Sequence, residues 1–218
     1  MNQQELIKNS FYITYAFLIT TGTITFIESM RTKDLRIRNI LNLETCISIV
    51  AAFFYGNFVA ELEESVDYKK INSTRYVDWA ITTPIMLLVL MLAFLYNNKG
   101  GALSFNKYLV VLVLNYLMLG FGYIGEIGMM NKYAANTFGF AAFASMYYYL
   151  HTNFLKGYNN MDNKMLYGAF VFLWALYGVF YFFDEVTRNV GYNVLDLFSK
   201  CFVGIFFWAY FTKAFKLP

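Results

Sequence analysis

The feature that most constrains this chain is a series of seven apolar segments, each near the ~20 residues that a helix needs to cross a bilayer. Short polar clusters separate them, and we place the segments at about residues 10–30, 36–57, 74–96, 105–125, 133–154, 165–184 and 192–214. In lipid, a segment must satisfy its own backbone hydrogen bonds, so each is predicted to be a helix. The sequence therefore predicts an all-α membrane protein, a seven-transmembrane-helix bundle with a single domain over residues 1–218.

Composition excludes a water-soluble domain. Charged residues make up 14% of the chain and hydrophobic residues 59%, whereas about a quarter of a soluble domain is charged. Cys46 and Cys201 both lie in apolar runs, and we expect two buried thiols rather than a disulfide. With one histidine in the chain, we expect no metal site, and the small net charge of +3 gives no reason to expect nucleic acid as a partner.

Loop charge predicts the orientation. The first loop carries Arg31, Lys33, Arg36 and Arg38, and lysine and arginine accumulate on the cytoplasmic side of a membrane. The break at Glu61–Asn72, which is acidic, and the break predicted at 184–191 fall on the opposite side. The N-terminus is therefore expected outside and the C-terminus in the cytoplasm.

Four charged residues lie inside the apolar segments: Arg75 and Asp78 in the third, Asp196 and Lys200 in the seventh. A charge at membrane depth costs at least ~2.5 kcal/mol and usually marks a functional site. The spacings of three and four residues place each pair on one helix face. Charge alone leaves a structural ion-pair network and the cation site of a transporter open as alternatives.

Three motifs resemble those of the microbial rhodopsins. Arg75–Pro84, RYVDWAITTP, is similar to the third-helix pattern of that family, and Leu195–Lys200, LDLFSK, to its seventh-helix pattern. Trp174–Tyr177, WALY, resembles the sixth-helix pattern. In the fourth segment, the residues that fit the family are Asn115, Met118, Gly120 and Gly122.

The resemblance implies that Lys200 carries all-trans retinal as a protonated Schiff base. It implies that Asp78 is the primary counterion and proton acceptor, that Asp196 is the second carboxylate, that Arg75 balances both and that Thr82 donates a hydrogen bond to Asp78. The implied retinal pocket comprises Trp79, Thr83, Met86, Asn115, Met118, Gly122, Trp174 and Tyr177. An apolar residue at Met86 implies absorption of green rather than blue light.

The sequence departs from the best-known pumps at Val89, where the family pattern has the carboxylate that donates a proton from the inner side. Glu44, in the second segment, is a candidate substitute, because an apolar setting favours the protonated carboxyl. The alternative is that Glu44 faces a loop or lipid headgroups. Gly178 replaces a sixth-helix proline, and the acids Asp184 and Glu185 could either release protons or form a solvated loop.

The leading function that the resemblance implies is an outward proton pump rather than an enzyme. A light-gated cation channel is the alternative, since such channels also carry a second-helix glutamate, and a photosensor is a third possibility. The expected partners are membrane lipid, the transported protons or cations, and further copies in a homo-oligomer. The expected location is a cell or host-cell membrane, and the narrower likeness is to viral rhodopsins.

Overall fold

The structure, a computed structural model, describes residues 3–64 and 67–214 of the chain. These residues form seven helices and no strand, as the apolar segments predict. The helices are α1 (Gln3–Arg31), α2 (Leu35–Glu64), α3 (Tyr68–Asn97), α4 (Phe105–Glu126), α5 (Lys132–Leu150), α6 (Met161–Phe180) and α7 (Glu185–Thr212). Within the described part of the chain, all of them except α5 are long and apolar enough to span a membrane. The side on which each terminus lies stays a prediction.

The break predicted at residues 184–191 is wrong, because α7 begins at Glu185. Asp184 caps this helix: its side chain accepts hydrogen bonds from the backbone N–H groups of Val186 and Thr187, both at 3.1 Å. Such a cap satisfies two of the N–H groups that the first turn of a helix leaves without partners. The first two turns of α7 are polar, so an apolar pattern alone starts the helix too late.

Two helices contain a π-helical segment. His151–Leu155 continues α5, and Leu197–Phe202 lies in the middle of α7. A π-helical segment adds a residue to the turn and locally redirects the side chains, and such segments occur frequently at functional sites. The segment in α7 contains Lys200, the residue on which the predicted site depends.

The described residues form two compact units. One domain over residues 1–218 stays a prediction. The first unit comprises the described residues up to Ile71 and from Val179 onward, which are α1, α2, α7, the first turn of α3 and the end of α6. Its helices α1 and α2 pack against each other and against α7. Its buried apolar core consists of Ile7, Phe11, Leu18, Ala51, Phe54, Tyr55, Phe58, Ile71 and Cys201.

The second unit, Asn72–Gly178, contains a cluster of asparagines that joins the end of α3 to the start of α6. The buried Asn163 amide donates to the side chain of Asn98 at 3.0 Å and to the carbonyl of Phe94 at 3.1 Å. It accepts from Asn97 at 2.8 Å, and Asn160 donates to the carbonyl of Asn97 at 3.2 Å. Neutral amides therefore hold these two helix ends together.

The two cysteines differ in environment, and both are free thiols. Cys201 is buried, as expected. Cys46 is exposed, so the prediction of two buried thiols is wrong for this residue. Cys46 lies between the buried residues Thr45 and Ile47 on α2, and the helical rotation of about 100° per residue turns it to the outer face.

Gly178 leaves room for an aromatic ring in the second unit. A methyl carbon on Gly178 would lie 2.4 Å from Cε2 of Phe140, which is closer than carbon atoms can pack. We expect Gly178→Ala to lower the free energy of unfolding by roughly 1–3 kcal/mol, the usual cost of overpacking. Gly168→Ala on the same helix is the matched control, because a methyl carbon there meets no atom within 4 Å. Thermal unfolding followed by circular dichroism compares them, and equal stabilities would contradict the expectation.

Candidate functional site

The centre of the first unit is a buried ion pair on α7. Lys200 Nζ lies 3.4 Å from Asp196 Oδ1, and their side chains are 1% and 0% exposed. The four-residue spacing places both on one helix face, as the sequence predicts. Removing two charges from water is costly, so such a pair persists only where further hydrogen bonds satisfy it.

Tyr55 of α2 supplies one of those hydrogen bonds. Its hydroxyl lies 2.8 Å from Asp196 Oδ2 and 3.0 Å from Asn193 Oδ1. The hydroxyl has one proton, so it donates to one of these two acceptors at a time. A bond from a neutral donor to a carboxylate is about twice as strong as one between neutral groups. Tyr55 therefore stabilises the negative charge of Asp196.

Asn193 extends the polar contacts to α1. Its side-chain amide donates to Ser10 Oγ at 2.8 Å, and its backbone carbonyl accepts from Thr14 Oγ1 at 3.1 Å. Ser10 in turn donates to the carbonyl of Ile7 at 2.7 Å. A row of polar groups within hydrogen-bonding distance of one another thus runs from Asp196 past Tyr55 and Asn193 to Ser10, across α7, α2 and α1.

In the second unit, α3 presents the predicted polar stripe. Arg75, Asp78 and Thr82 are all buried, at most 1% exposed. Thr82 Oγ1 lies 2.9 Å from the backbone carbonyl of Asp78 and 3.3 Å from its Oδ1. The expected bond from Thr82 to the Asp78 carboxyl is thus the longer of two alternatives for a single proton. Val89, on the same helix, is fully buried.

The aromatic residues expected in the pocket also lie together in this unit. The rings of Trp79 and Tyr177 meet edge to face with centroids 5.4 Å apart. Trp174 contacts Tyr147 of α5 in the same geometry at 6.2 Å. Trp79 and Trp174 are buried, whereas Tyr177 is half-buried. These rings form an apolar, aromatic surface suited to a flat conjugated ligand.

The remaining pocket residues lie on α3 and α4. Asn115 donates from its amide to Thr83 Oγ1 at 2.9 Å, which links these helices. Its Oδ1 is buried and has no hydrogen-bond partner within the described residues. Met86 is buried and Met118 is half-buried. A methyl carbon on Gly122 would lie 2.9 Å from the hydroxyl oxygen of Tyr76, so a larger residue there would displace that ring.

Glu44 is buried, 2% exposed, in the first half of α2. The alternative that it faces a loop or headgroups is therefore wrong. No hydrogen bond or ion pair joins its carboxyl to another residue of the described ranges. A carboxyl in such surroundings is more stable protonated than charged.

The acids at the start of α7 fit a structural role better than proton release. Hydrogen bonds from the side chain and backbone of Thr187 lower the pKa of the Asp184 carboxyl, so it remains ionised. Glu185 Oε2 lies 2.7 Å from Arg188 Nη2. Arg188 is 2% exposed although it lies outside the predicted seventh segment.

Several site residues were not identified from the sequence: Tyr55, Asn193, Ser10, Thr14 and Arg188. Tyr55 is one of 19 tyrosines, so its identity alone carries little information. Asn193 offered a usable signal, because it lies three residues before Asp196 and hence on the same face of α7.

The comparisons with known proteins identify the family. The model of the family described as bacteriorhodopsin-like protein matches residues 5–214. The chain therefore belongs to this family, the microbial rhodopsins, and is an integral multi-pass membrane protein.

Three relatives show the range of similarity. The green-light absorbing proteorhodopsin of Gamma-proteobacterium EBAC31A08 is 28% identical, covering 91% of this chain and 84% of its own. The protein in the crystal structure of viral rhodopsin OLPVRII is 57% identical in sequence to this chain. The two structures match with a TM-score of 0.92 over 97% of this chain and all of that one. Halorhodopsin, a light-driven chloride pump, shares the fold with a TM-score of 0.77 at 18% identity, over 96% of each chain.

The residues present fit retinal as a ligand. Lys200 supplies a buried primary amine, the group that forms an imine with an aldehyde, and Asp196 beside it can balance a cation at that nitrogen. The aromatic surface of Trp79, Trp174 and Tyr177 suits a polyene.

Loss of the Tyr55 hydroxyl should destabilise the first unit. We expect Tyr55→Phe to lower the free energy of unfolding by roughly 1.5–3 kcal/mol, because the buried Asp196 carboxylate loses a donor. Tyr148→Phe serves as the control, since that side chain is exposed on α5. Thermal unfolding in detergent measures the effect, and a Tyr55→Phe protein as stable as its control would show that the hydroxyl is dispensable.

Proposed function

We propose that this chain is a light-driven outward proton pump with all-trans retinal bound to Lys200 as a protonated Schiff base. Retinal, when bound, supplies visible absorption and a light-driven isomerisation. We assign the pocket to the aromatic rings described above, together with Thr83, Met86, Asn115, Met118 and Gly122. Trp79, Trp174 and Tyr177 would restrict how the ligand can turn.

The charged and hydroxyl side chains of the site have different proposed electrostatic roles. Asp196, with its donor Tyr55, favours a positive charge on the Lys200 nitrogen. Asp78 is the proposed proton acceptor, and the Thr82 hydroxyl can donate to its carboxylate. Arg75, buried on the same face of α3 as Asp78, is the proposed positive charge that compensates the Asp78 carboxylate. Proton transfer to Asp78 neutralises a buried negative charge. The transfer is therefore favourable once the carboxylate is separated from the positive charge that it balances.

The observation that carries the choice of a pump is an apolar layer within the first unit. Leu18 of α1 and Ala51 of α2 are fully buried in one core cluster. They lie between the polar chain around Tyr55 and the buried Glu44, one or two helical turns from each. An open cation channel needs a continuous polar path lined by carboxylates, and Glu44 is the one buried acid on α2 among the described side chains. A pump needs the opposite, a barrier that keeps its two half-pathways apart.

Glu44 is the proposed proton donor for the second half of the cycle. If the basic first loop is cytoplasmic, as loop charge predicts, Glu44 lies in the cytoplasmic half of α2. Its buried carboxyl can hold a proton at neutral pH and release it when a stronger base forms nearby. Val89 cannot carry a proton, so Glu44 would take over the role that a carboxylate on α3 has in other pumps.

The relatives bear on which ion the protein transports. Halorhodopsin has the same fold and is named as a chloride pump, so the fold does not determine the ion. Asp78 argues against chloride here, because its negative charge would occupy and repel an anion site. The relatives include both green-light and blue-light absorbing proteorhodopsins, so the colour expected from Met86 stays a prediction. Homo-oligomer formation and the cell or host-cell location stay predictions.

Photocurrent at zero voltage, with identical solutions on both sides of the membrane, tests the proposal. A passive channel carries no net current without a driving force. We expect a sustained outward current that survives replacement of sodium and chloride. Currents that vanish at zero voltage and reverse with the applied potential would instead identify a cation channel. No current, with an intact visible absorption band, would favour a photosensor.

Lys200→Ala should abolish the visible band that forms when all-trans retinal is added. The variant lacks the amine that the ligand needs for its covalent bond. Absorption spectra of the purified protein measure this, with Lys164→Ala as a control because Lys164 is a surface residue on α6. A band of normal intensity in the Lys200→Ala protein would exclude this lysine as the attachment site.

Glu44→Gln should slow reprotonation after a flash by roughly 100-fold or more, the usual contribution of a positioned acid. External azide should restore the rate, because a small acid can replace the missing donor. Glu61→Gln on the same helix is the control, since Glu61 pairs with Lys70 near the helix end. Flash photolysis gives both rates. An unchanged decay in the Glu44→Gln protein would remove this residue from the mechanism.

A further inference from the structure

Pro84 leaves one backbone carbonyl of α3 without its helical partner. Proline has no N–H, so the hydrogen bond that residue 84 would donate to the carbonyl of Ala80 cannot form. A carbonyl without a donor is costly inside a membrane, and proline is tolerated there where a neighbouring group replaces the missing bond. The replacement comes from α4, because the Tyr116 hydroxyl donates to the Ala80 oxygen at 3.1 Å.

Helix α4 contacts α3 at three points around this proline. The Tyr108 hydroxyl donates to the carbonyl of Pro84 itself at 3.1 Å. The bond from Asn115 to Thr83, at 2.9 Å, lies one residue before the proline. Tyr116 bonds four residues before it. The three donors thus hold the segment in which the regular bonding of α3 is interrupted.

The two tyrosine bonds differ in what the helix supplies to the acceptor. The carbonyl of Pro84 also faces the N–H of Leu88, because the helix continues to Asn97 and each N–H bonds four residues back. The Ala80 carbonyl has no N–H four residues on. Tyr116 is 45% exposed, so its bond lies at the outer surface of the helix pair, where lipid offers no substitute donor.

The interrupted segment separates the two halves of α3. The half before Pro84 carries Asp78 and Trp79 directly ahead of Ala80. The half after it ends in the asparagine cluster, which joins it to α6. A proline is where a helix bends, so the bend at Pro84 determines where the Asp78 carboxyl lies relative to the fixed second half. A misplacement of about 1 Å at a reacting group can cost a rate roughly 100-fold.

We propose that Tyr116 is a positioning residue for Asp78. Its hydroxyl satisfies the Ala80 carbonyl, fixes the bend of α3 at Pro84 and thereby holds the Asp78 carboxyl in place. Tyr116 carries no proton in the cycle and acts only through the backbone of α3. The consequence for proton transfer rests on the proposed role of Asp78 as acceptor, whereas the bond from Tyr116 to Ala80 does not depend on it.

Tyr116→Phe keeps the ring and removes the hydroxyl. It should shift the pH midpoint of the change in the visible band that accompanies protonation of Asp78 by roughly half a pH unit or more. It should also slow proton transfer to Asp78 after a flash by roughly 10-fold. Tyr108→Phe should change both less, because the N–H of Leu88 remains at the Pro84 carbonyl.

Tyr123→Phe is the matched control on α4. Tyr123 is 39% exposed, and its ring contacts the ring of Tyr76 with centroids 5.7 Å apart. Its hydroxyl donates no hydrogen bond to another of the described residues, so its loss should leave the midpoint and the rate unchanged.

Solid-state NMR of the protein in lipid bilayers tests the contact independently of transport. The carbonyl ¹³C resonance of Ala80 should move upfield in Tyr116→Phe, because that carbonyl loses a hydrogen bond, and should stay in place in Tyr123→Phe. An unchanged resonance would overturn the proposal. A resonance that moves while the midpoint and the rate stay unchanged would overturn it too, because the hydroxyl would then not act on Asp78.

A double-mutant cycle tests the link to the proline. Pro84→Ala supplies an N–H to the Ala80 carbonyl, so Tyr116→Phe should no longer shift the midpoint in that background. Equal shifts in both backgrounds would contradict the proposed route through Ala80. If the predicted shifts occur in a protein that drives no current at zero voltage, Tyr116 is supported as a positioning residue and the pump is refuted.

Discussion

The buried charge on Lys200 is the constraint on which the rest of the first unit depends. An ammonium inside a membrane protein is tolerable only beside a carboxylate, and Asp196 lies 3.4 Å away. The carboxylate in turn needs donors, which explains Tyr55. Asn193 lies beside the Tyr55 hydroxyl and bonds to Ser10 and Thr14 of α1. One charge thus determines the residue types on three helices.

The same unit separates two polar regions by an apolar layer. On one side lies the row of polar groups around Asp196, and on the other lies the buried carboxyl of Glu44. Leu18 and Ala51, both without exposed surface, occupy the space between. In the proposed pump this contrast is what gives direction, because directed transport requires a barrier between the two polar regions.

The helices and the charged residues of the site were predictable because both follow from the cost of polar groups in lipid. The spacing of Asp196 and Lys200 on one face, and the burial of Glu44, could be inferred for the same reason. Tyr55 could not, since it is one of 19 tyrosines and its residue type does not indicate which helix its hydroxyl meets. Which face of α1 meets α2 is decided by packing at residues such as Gly22, and sequence periodicity is weak in a helix that is apolar all round.

The asparagine cluster between α3 and α6 has a consequence for how the protein responds to its surroundings. Asn97, Asn98, Asn160 and Asn163 carry no charge, and their mutual bonds involve no titratable group. Acidification or added salt leaves bonds of this kind intact, whereas either would weaken an ion pair. The contact between these helix ends is therefore insensitive to pH and to salt, and a rise in temperature is what weakens it.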